Sequence, residues 1–472
     1  MAKVELICVN VLSILFADFR QMNMESQLRR LGLFDARVPR YTSYPTAPQF
    51  SAAVDGDLME QWLRAIPANS SISLYMHVPF CRRLCWFCAC RTQGTRSDDP
   101  VRAYADILKT EVDMLGALLA PGITLSRLHW GGGTPTLLDA GLMRMLTDAI
   151  FAVAPMGPDA EFSVEIDPNE IDDARLDALA TAGMNRVSIG VQDFDPVIQA
   201  AIGRDQTYEV TARAVEMIRA RNVRSLNADI LYGLPHQTPE RISASVRKLL
   251  SLSPDRVALY GYAHVPWMAR RQEMISSDAL PTPDERLQLF ETARTLFLAD
   301  GYVEVGIDHF ARKGDGLDVA AHTSALRRNF QGYTDDTSPV LVGIGASSIS
   351  RFPQGYAQNA AATSAHIKAI REGRFSVARG HVFTDEDRLR ARLIESLMCD
   401  FRIDVAQILT DFPVAPSYLQ ETFQKAASSF GDLVRITPDA FEITDTARPL
   451  TRMIARTFDA YDLSKAGHSP AV

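Results

Sequence analysis

Between Ile72 and about Tyr262 the chain alternates short apolar runs with amphipathic stretches, and no other feature limits its possible folds as strongly. The runs at Ser73–Val78, Leu125–His129, Phe162–Ile166, Arg186–Val191, Leu226–Leu231 and Arg256–Tyr262 read as strands. Helical patterns lie between them. In Tyr208–Arg221, Val210, Ala214, Met217 and Ile218 fall on one helical face. Such alternation builds βαβ units and a parallel sheet, so the chain is α/β. Six units can wind into a partial (β/α) barrel or lie as an open doubly wound sheet. Either way, ligands gather at the carboxyl ends of the strands.

Those strand ends carry chemistry. Cys81–Cys90 follows the first strand, Gly131-Gly132-Gly133-Thr134 the second, Asp167-Pro168-Asn169 the third and Gln192-Asp193 the fourth, so four loaded loops share one rim. Four of the six cysteines fall within ten residues, whereas a disulfide framework would spread them along the chain. The segment Cys81-Arg-Arg-Leu-Cys85-Trp-Phe-Cys88-Ala-Cys90 can wrap thiolates around a compact inorganic centre. Zinc is one alternative, but it commonly uses two separated cysteine pairs, and the chain has no second pair; His77 and His129 sit inside expected strands. A [4Fe–4S] cluster normally takes four thiolates. Cys81, Cys85 and Cys88 supply three, and Cys90 is a candidate fourth. With three bound, one iron keeps an open site for an amine and a carboxylate. Cys399 reads as a buried small hydrophobe.

The formal net charge of −8 gives no electrostatic reason to expect nucleic acid. Val4–Phe19 is apolar but short, carries Glu5, Asn10 and Asp18, and lacks a small-residue cleavage pattern, so neither membrane insertion nor export is expected. With Met22 and Met24 close behind, residues 1–21 read as an extension upstream of the protein proper, which is expected to be cytoplasmic. Near the other end, Thr384 and Asp387 mark a helix start ahead of Leu389, Leu393 and Leu397. Leu433–Ile436 and Phe441–Thr444 flank the turn signal Pro438-Asp439, and a helix follows from about Arg448. A mainly helical, winged-helix-like domain is expected there. The expected organisation is an extension (1–21), an N-terminal substrate-site or lid segment (22–70), a catalytic domain (71–360) and a C-terminal helical domain (361–472).

The CxxxCxxC element after Leu74-Tyr75-Met76-His77-Val78-Pro79-Phe80 resembles the radical S-adenosylmethionine superfamily. Further motifs are similar to the oxygen-independent coproporphyrinogen III oxidases. They are Arg40-Tyr41-Thr42-Ser43-Tyr44-Pro45-Thr46, Trp130-Gly131-Gly132-Gly133-Thr134-Pro135-Thr136 and Val191-Gln192-Asp193-Phe194. Asp229-Ile230-Leu231-Tyr232-Gly233-Leu234-Pro235, Asp308-His309-Phe310-Ala311, Arg328-Asn329-Phe330-Gln331-Gly332-Tyr333 and Tyr356-Ala357-Gln358-Asn359 complete the set. The resemblance runs from about Ser26 into the C-terminal domain. It departs at Ala89, where a glycine is familiar, while the ligand spacing is intact.

The resemblance implies a partial barrel of the radical S-adenosylmethionine type, with Cys81, Cys85 and Cys88 as cluster ligands and Cys90 not bound to iron. It carries S-adenosylmethionine contacts over to Tyr75, Phe87, Gly132, Gly133, Thr134, Glu165, Gln192, Arg204, Asp229, Ala263 and Ile349, with a second S-adenosylmethionine beside the first. The glycine run is expected to offer free N–H groups to a ligand. The implied reaction is oxidative decarboxylation: the reduced cluster cleaves the sulfonium, and a 5′-deoxyadenosyl radical removes hydrogen from a propionate of coproporphyrinogen III. Loss of carbon dioxide and one electron leaves a vinyl group, and two rounds give protoporphyrinogen IX in haem biosynthesis. A reduced donor such as a flavodoxin or ferredoxin and a monomeric state go with this reading.

A tetracarboxylate substrate calls for cations and donors, and Arg40, Tyr41, Arg328 and Gln331 are the candidates. The Arg40–Thr46 segment is expected to act as a lid, so that removing residues 1–46 weakens turnover without removing iron. The rivals are a radical-family haem chaperone or haem-degrading enzyme, and a non-enzymatic cluster sensor with a DNA-binding C-terminal domain. Cys90 and the Arg40–Thr46 motif favour the oxidase over the chaperone by resemblance. The acidic balance and the polar rim disfavour the sensor.

Overall fold

A computed structural model of the chain describes residues 27–462; the expected 1–21 extension and Cys8 lie outside them. Residues 42–388 form one compact unit, and residues up to 41 group with those from 389 onward in another.

In the larger unit a single twelve-stranded sheet carries the fold. Its first six strands are β1 (Ser71–Val78), β2 (Thr124–Gly132), β3 (Met156–Ile166), β4 (Arg186–Gln192), β5 (Ser225–Tyr232) and β6 (Arg256–Gly261). They pair in parallel in sequential order. A doubly wound sheet reverses its strand order at a switch point; sequential order without reversal is barrel winding. Intervening helices, among them Asp99–Gly116, Ala140–Val153, Asp173–Thr181 and Tyr208–Arg219, pack neighbour to neighbour on the outer face.

The barrel does not close with parallel strands. Beyond β6 lie β7 (Tyr302–Val305) and β8 (His309–Arg312), both antiparallel additions. On the other side β9 (Leu341–Ile344) pairs parallel with β1, and β10 (Ile349–Phe352), β11 (Gly355–Asn359) and β12 (Val377–Val382) follow as an antiparallel annex.

Side-chain alternation explains what the barrel encloses. Ile72, Leu74, Met76 and Val78 of β1 join Leu128 and Trp130 of β2 and Phe162, Val164 and Ile166 of β3 in the helix-side core. Successive strand residues face opposite ways, so Ser73, Tyr75 and His77, then Arg127 and His129, then Glu161, Ser163 and Glu165 point into the barrel. At the amino ends of the strands this inner face is an ion network. Glu161 pairs with Arg127 (3.2 Å) and Arg186 (3.1 Å), Arg127 with Asp335 (2.6 Å), and Arg256 with Asp315 (2.6 Å). Mutual pairing keeps these buried charges compensated, and the centre toward the carboxyl ends is left for chemistry.

The boundary expected at residue 360 moves to 388, because β11 and β12 hydrogen-bond onto the main sheet. The segment expected as one piece over 22–70 divides after Tyr41. Val54, Met59, Trp62, Leu63 and Ile66 pack into the core of the larger unit.

The smaller unit is helical with a three-stranded antiparallel sheet of Arg402–Asp404, Ala440–Ile443 and Val434–Ile436. Its centre is the ring cluster Phe423, Phe441 and Phe458. The expected hairpin is present, joined by a strand at Arg402–Asp404 that the sequence reading lacked. Helix Asp385–Asp400 starts at the expected cap: Thr384 Oγ1 accepts the Asp387 N–H (3.0 Å), and Asp387 Oδ2 accepts the Thr384 N–H (2.9 Å). Cys399 is buried, as expected. Among the described residues no helix is long and apolar enough to cross a membrane.

Candidate active site

The rim is built where β1 and β2 end side by side. The Gly133 N–H donates to Val78 O (2.8 Å) and the Thr134 N–H to Phe80 O (2.7 Å), so the glycine loop is laced to the start of the cysteine loop. Glycine is required by space. A Cβ on Gly131 would lie 2.7 Å from Glu165 Oε1, one on Gly132 2.5 Å from the His77 ring, and one on Gly133 2.5 Å from Phe80 O. Gly132 also has φ +114°, a value side-chain-bearing residues avoid. This corrects the expectation of free N–H groups here: those of Gly133 and Thr134 bond to backbone, and that of Gly132 donates to Glu165 Oε2 (3.1 Å).

Cys81, Cys85 and Cys88 are half-buried on the loop after β1, and Cys90 is exposed. The other end of the loop is anchored by Trp86 N–H to Ile202 O (2.9 Å) and by Gln272 Nε2 to Phe87 O (2.8 Å). Burial pushes the Cys81 thiol up to about 11, and the charges of Cys88 and Cys85 add to this. Cys85 is also raised by burial, against the opposing charge of Arg204, whose Nη1 donates to its Sγ at 3.4 Å. Cys88 is held low by hydrogen bonds from the Cys90 thiol and backbone N–H (3.4 Å), with Arg271 and Arg204 assisting. Among the described residues no three His, Cys, Asp or Glu side chains close around a single-ion position. His77 and His129 have other partners. His77 Nε2 donates to Arg91 O (3.2 Å), leaving Nδ1 to accept from the Tyr75 hydroxyl (2.9 Å). His129 Nε2 donates to Glu165 Oε1 (3.2 Å).

Inside the rim, acids and donors converge. Burial works to raise the Glu165 carboxyl, but the His129 bond and the Gly132 N–H outweigh it and hold it below its ordinary value. Its side chain is 41% exposed because it lines the open centre of the barrel. Burial pushes Asp229 up to about 6, with the Glu165 charge adding to this against a hydrogen bond from Asn227 Nδ2 (2.8 Å). Two acids facing one cavity call for a cationic or hydroxyl-bearing guest. Arg204 reaches from Cys85 to Gly190 O (2.5 Å) and Gln206 Oε1 (2.5 Å), while its buried Nε has no partner among the described residues. Gln192, at φ +68°, ends β4 beside this arginine.

Tyr75 thus lies on the inner face of β1, and Phe87 on the cysteine loop against the cluster of Ile198, Ile202 and Leu231. The Ala263 carbonyl accepts from Gln272 Nε2 (3.0 Å). Ile349 opens β10, in the annex beyond β9. Among the residues expected at the substrate, Gln331 is exposed at the tip of a hairpin (Arg327–Asn329 with Gly332–Thr334). Arg328 is not presented there: its side chain is 4% exposed and pairs with Asp308 at 3.3 Å. Arg40 and Tyr41 belong to the smaller unit, where the Tyr41 hydroxyl donates to Asp459 (2.9 Å).

Residues 75–249 match the radical SAM superfamily. The chain is 66% identical over 451 residues to the oxygen-independent coproporphyrinogen III oxidase of Paracoccus denitrificans, covering 96% of this chain and all of that one. It is 36% identical to the enzyme of the same name from Escherichia coli K12, across 91% and 94% of the two chains. The solved coproporphyrinogen III oxidase (HemN) of Escherichia coli, described as a radical SAM enzyme, superposes with a TM-score of 0.86 at 34% identity, over 90% of this chain and all of that one.

The chain belongs to the oxygen-independent coproporphyrinogen III oxidases. This family works with a [4Fe–4S] cluster and S-adenosylmethionine, and the residues here fit both. Three thiols on one loop, one already touching a guanidinium, suit an iron–sulfur cluster. The orphaned Arg204 Nε and the paired acids Glu165 and Asp229 suit a zwitterionic nucleoside cofactor. Sequence reasoning weighed the inner-face residues His77 and His129 only as metal ligands and missed Ser163 and Asn227, which help orient this set. Their signal was available as polar residues at every second position of otherwise apolar strands.

Proposed function

We infer that this protein carries out the oxygen-independent oxidative decarboxylation of two propionate side chains of coproporphyrinogen III to vinyl groups, giving protoporphyrinogen IX. The observation that carries the reading is the bridge made by Arg204, one guanidinium between Cys85 Sγ and the polar strand ends of the barrel. It ties the electron-accepting loop to the nucleoside cavity. When bound, the cluster and S-adenosylmethionine supply the electron and the hydrogen-abstracting radical.

The chain's own residues bind and orient. Cys81, Cys85 and Cys88 hold the cluster; Cys90 supports Cys88 through its N–H and takes no iron. Glu165, Gln192, Arg204 and Asp229 receive charged and hydroxyl groups of S-adenosylmethionine. Tyr75, Phe87, Gly132, Gly133, Thr134, Ala263 and Ile349 shape its walls, and a second molecule binds beside the first. Packing of Trp86 and Phe87 against Ile198, Ile202 and Leu231 steadies the cysteine loop at this rim. Electrons enter from a reduced protein donor of the flavodoxin or ferredoxin kind.

The test is anaerobic. Reconstituted, reduced protein with S-adenosylmethionine and coproporphyrinogen III yields 5′-deoxyadenosine and a product lighter by two carbon dioxide units. Deoxyadenosine without decarboxylation assigns the site to another substrate, and formation of neither refutes the reading.

A further inference from the structure

The antiparallel annex extends the inner wall outward from Ile349. Its register places Ile349 opposite Gln358, and Gln358 opposite Arg379. These three side chains form one row across β10, β11 and β12. With strands about 4.8 Å apart, the row carries the wall about 10 Å outward from Ile349. The alternating residues Phe352 and Ala357 belong to the helix-side core, so the row lies on the face of Tyr75 and His77.

Hydrogen bonds tie the row to the rim. Arg379 Nε donates to Gln358 Oε1 (2.7 Å), and Gln358 Nε2 to Ser347 O (3.2 Å). Ser347 Oγ lies 3.5 Å from His77 Nε2, which also donates to the carbonyl of Arg91. The Arg379 guanidinium stands over the Phe50 ring at 5.8 Å. Phe50 stacks on Tyr356 (5.3 Å, 25°), and Phe330 meets Tyr356 edge-on at 5.8 Å. Among the described residues no carboxylate pairs with Arg379 or Arg91. Burial lowers the Arg379 pKa, and the neighbouring Arg91 charge lowers it further.

Two guanidiniums with no paired acid among the described residues, beside the exposed Phe330 ring, suit an anionic, ring-shaped ligand. We propose that Arg379 and Arg91 bind non-reacting propionates of the substrate while the exposed Phe330 ring, seated on the buried Phe50–Tyr356 pair, supports its macrocycle. Guanidinium takes carboxylate in a bidentate fork, and the exposed Phe330 ring offers apolar area for the pyrroles. Anchoring two propionates there leaves another over the cofactor cavity, about two strand widths away. This inference rests on coproporphyrinogen III being the substrate.

The test uses full-length holoenzyme. Arg379→Gln and Arg91→Gln each raise the KM for coproporphyrinogen III about 10- to 100-fold, the loss expected for a charged hydrogen bond, with kcat nearly unchanged. Binding of the fluorescent oxidised analogue coproporphyrin III weakens in parallel, Arg379→Lys restores part of it, and iron content and S-adenosylmethionine affinity do not move. Coproporphyrin tetramethyl ester, which lacks the carboxylates, binds wild type and variants alike. Wild-type KM and coproporphyrin affinity in both variants overturn the subsite. Since Arg91 is exposed, its variant decides the matter if Arg379→Gln misfolds. A wild-type protein that turns over S-adenosylmethionine but not coproporphyrinogen III instead overturns the substrate reading, and this subsite with it.

Discussion

Glu165→Gln isolates the charge of the cofactor cavity from its shape. Glu165 accepts from His129 Nε2 at 3.2 Å and from the Gly132 N–H at 3.1 Å, one bond to each oxygen. A glutamine offers one oxygen and one amide nitrogen, so on its face one bond is lost. The second partner of His129 removes the conflict: its Nδ1 contacts the Ser163 hydroxyl, which can donate or accept. If His129 moves its proton to Nδ1 and donates to Ser163, its Nε2 can accept from the new amide, while the amide oxygen keeps Gly132. The glycine loop then stays in place and only the negative charge is removed. A hydrogen bond to a charged group contributes about 1.5–3 kcal/mol, and 1.4 kcal/mol is about tenfold in binding. S-adenosylmethionine should therefore bind about 10- to 100-fold more weakly to the reconstituted variant by anaerobic calorimetry, with iron content unchanged. Affinity within twofold of wild type at full iron content would refute the assignment of Glu165 to the cofactor.

Other consequences are as specific. Cys90→Ala should retain wild-type iron, because Cys90 supports Cys88 without ligating; alanine at Cys81, Cys85 or Cys88 should each lose the cluster, as iron analysis will report. Gly133→Ala places a Cβ 2.5 Å from Phe80 O and 2.9 Å from Val78 O, both backbone. The lacing of β1 to β2 must part, and the variant should fail to retain iron after desalting. Glu111 is buried with its oxygens on the Gly345 N–H (2.7 Å) and Asn359 Nδ2 (2.9 Å), and burial pushes it from 4.5 up to about 8. A carboxyl raised in the folded state holds a proton that the unfolded chain has released. Stability should therefore fall as pH rises from about 4.5 to about 8, by up to about 5 kcal/mol, and level off above that. Glu111→Gln should flatten this slope in denaturation curves taken across the range; an unchanged slope refutes the account.

The six parallel strands were legible because each is a compact apolar run bounded by polar loops, and observed ends fall within a few residues of those read from sequence, apart from the early start of β3 at Met156. The loaded loops were legible for the same reason. The inner face was harder to read. His129 and Asn227 are polar residues alternating with apolar ones along their strands, and only knowledge that a barrel encloses a cavity tells which alternate residues matter. The annex was missed because β9 to β12 are short, glycine- and serine-bearing, and held by pairing with β1 far away in sequence. Ile349 was named by resemblance, but its row with Gln358 and Arg379 exists only in the register. Arg328 shows the opposite failure: an arginine in a suggestive motif whose charge is already matched by Asp308.

The central claim is that the rim built by Cys81–Cys88 and the polar strand ends delivers radical chemistry to a propionate side chain. Coproporphyrinogen III deuterated on its propionate side chains, incubated anaerobically with reduced holoenzyme and S-adenosylmethionine, tests it most directly. The account predicts one deuterium in 5′-deoxyadenosine for each carbon dioxide released, two per substrate. Carbon dioxide release with unlabelled 5′-deoxyadenosine would contradict it.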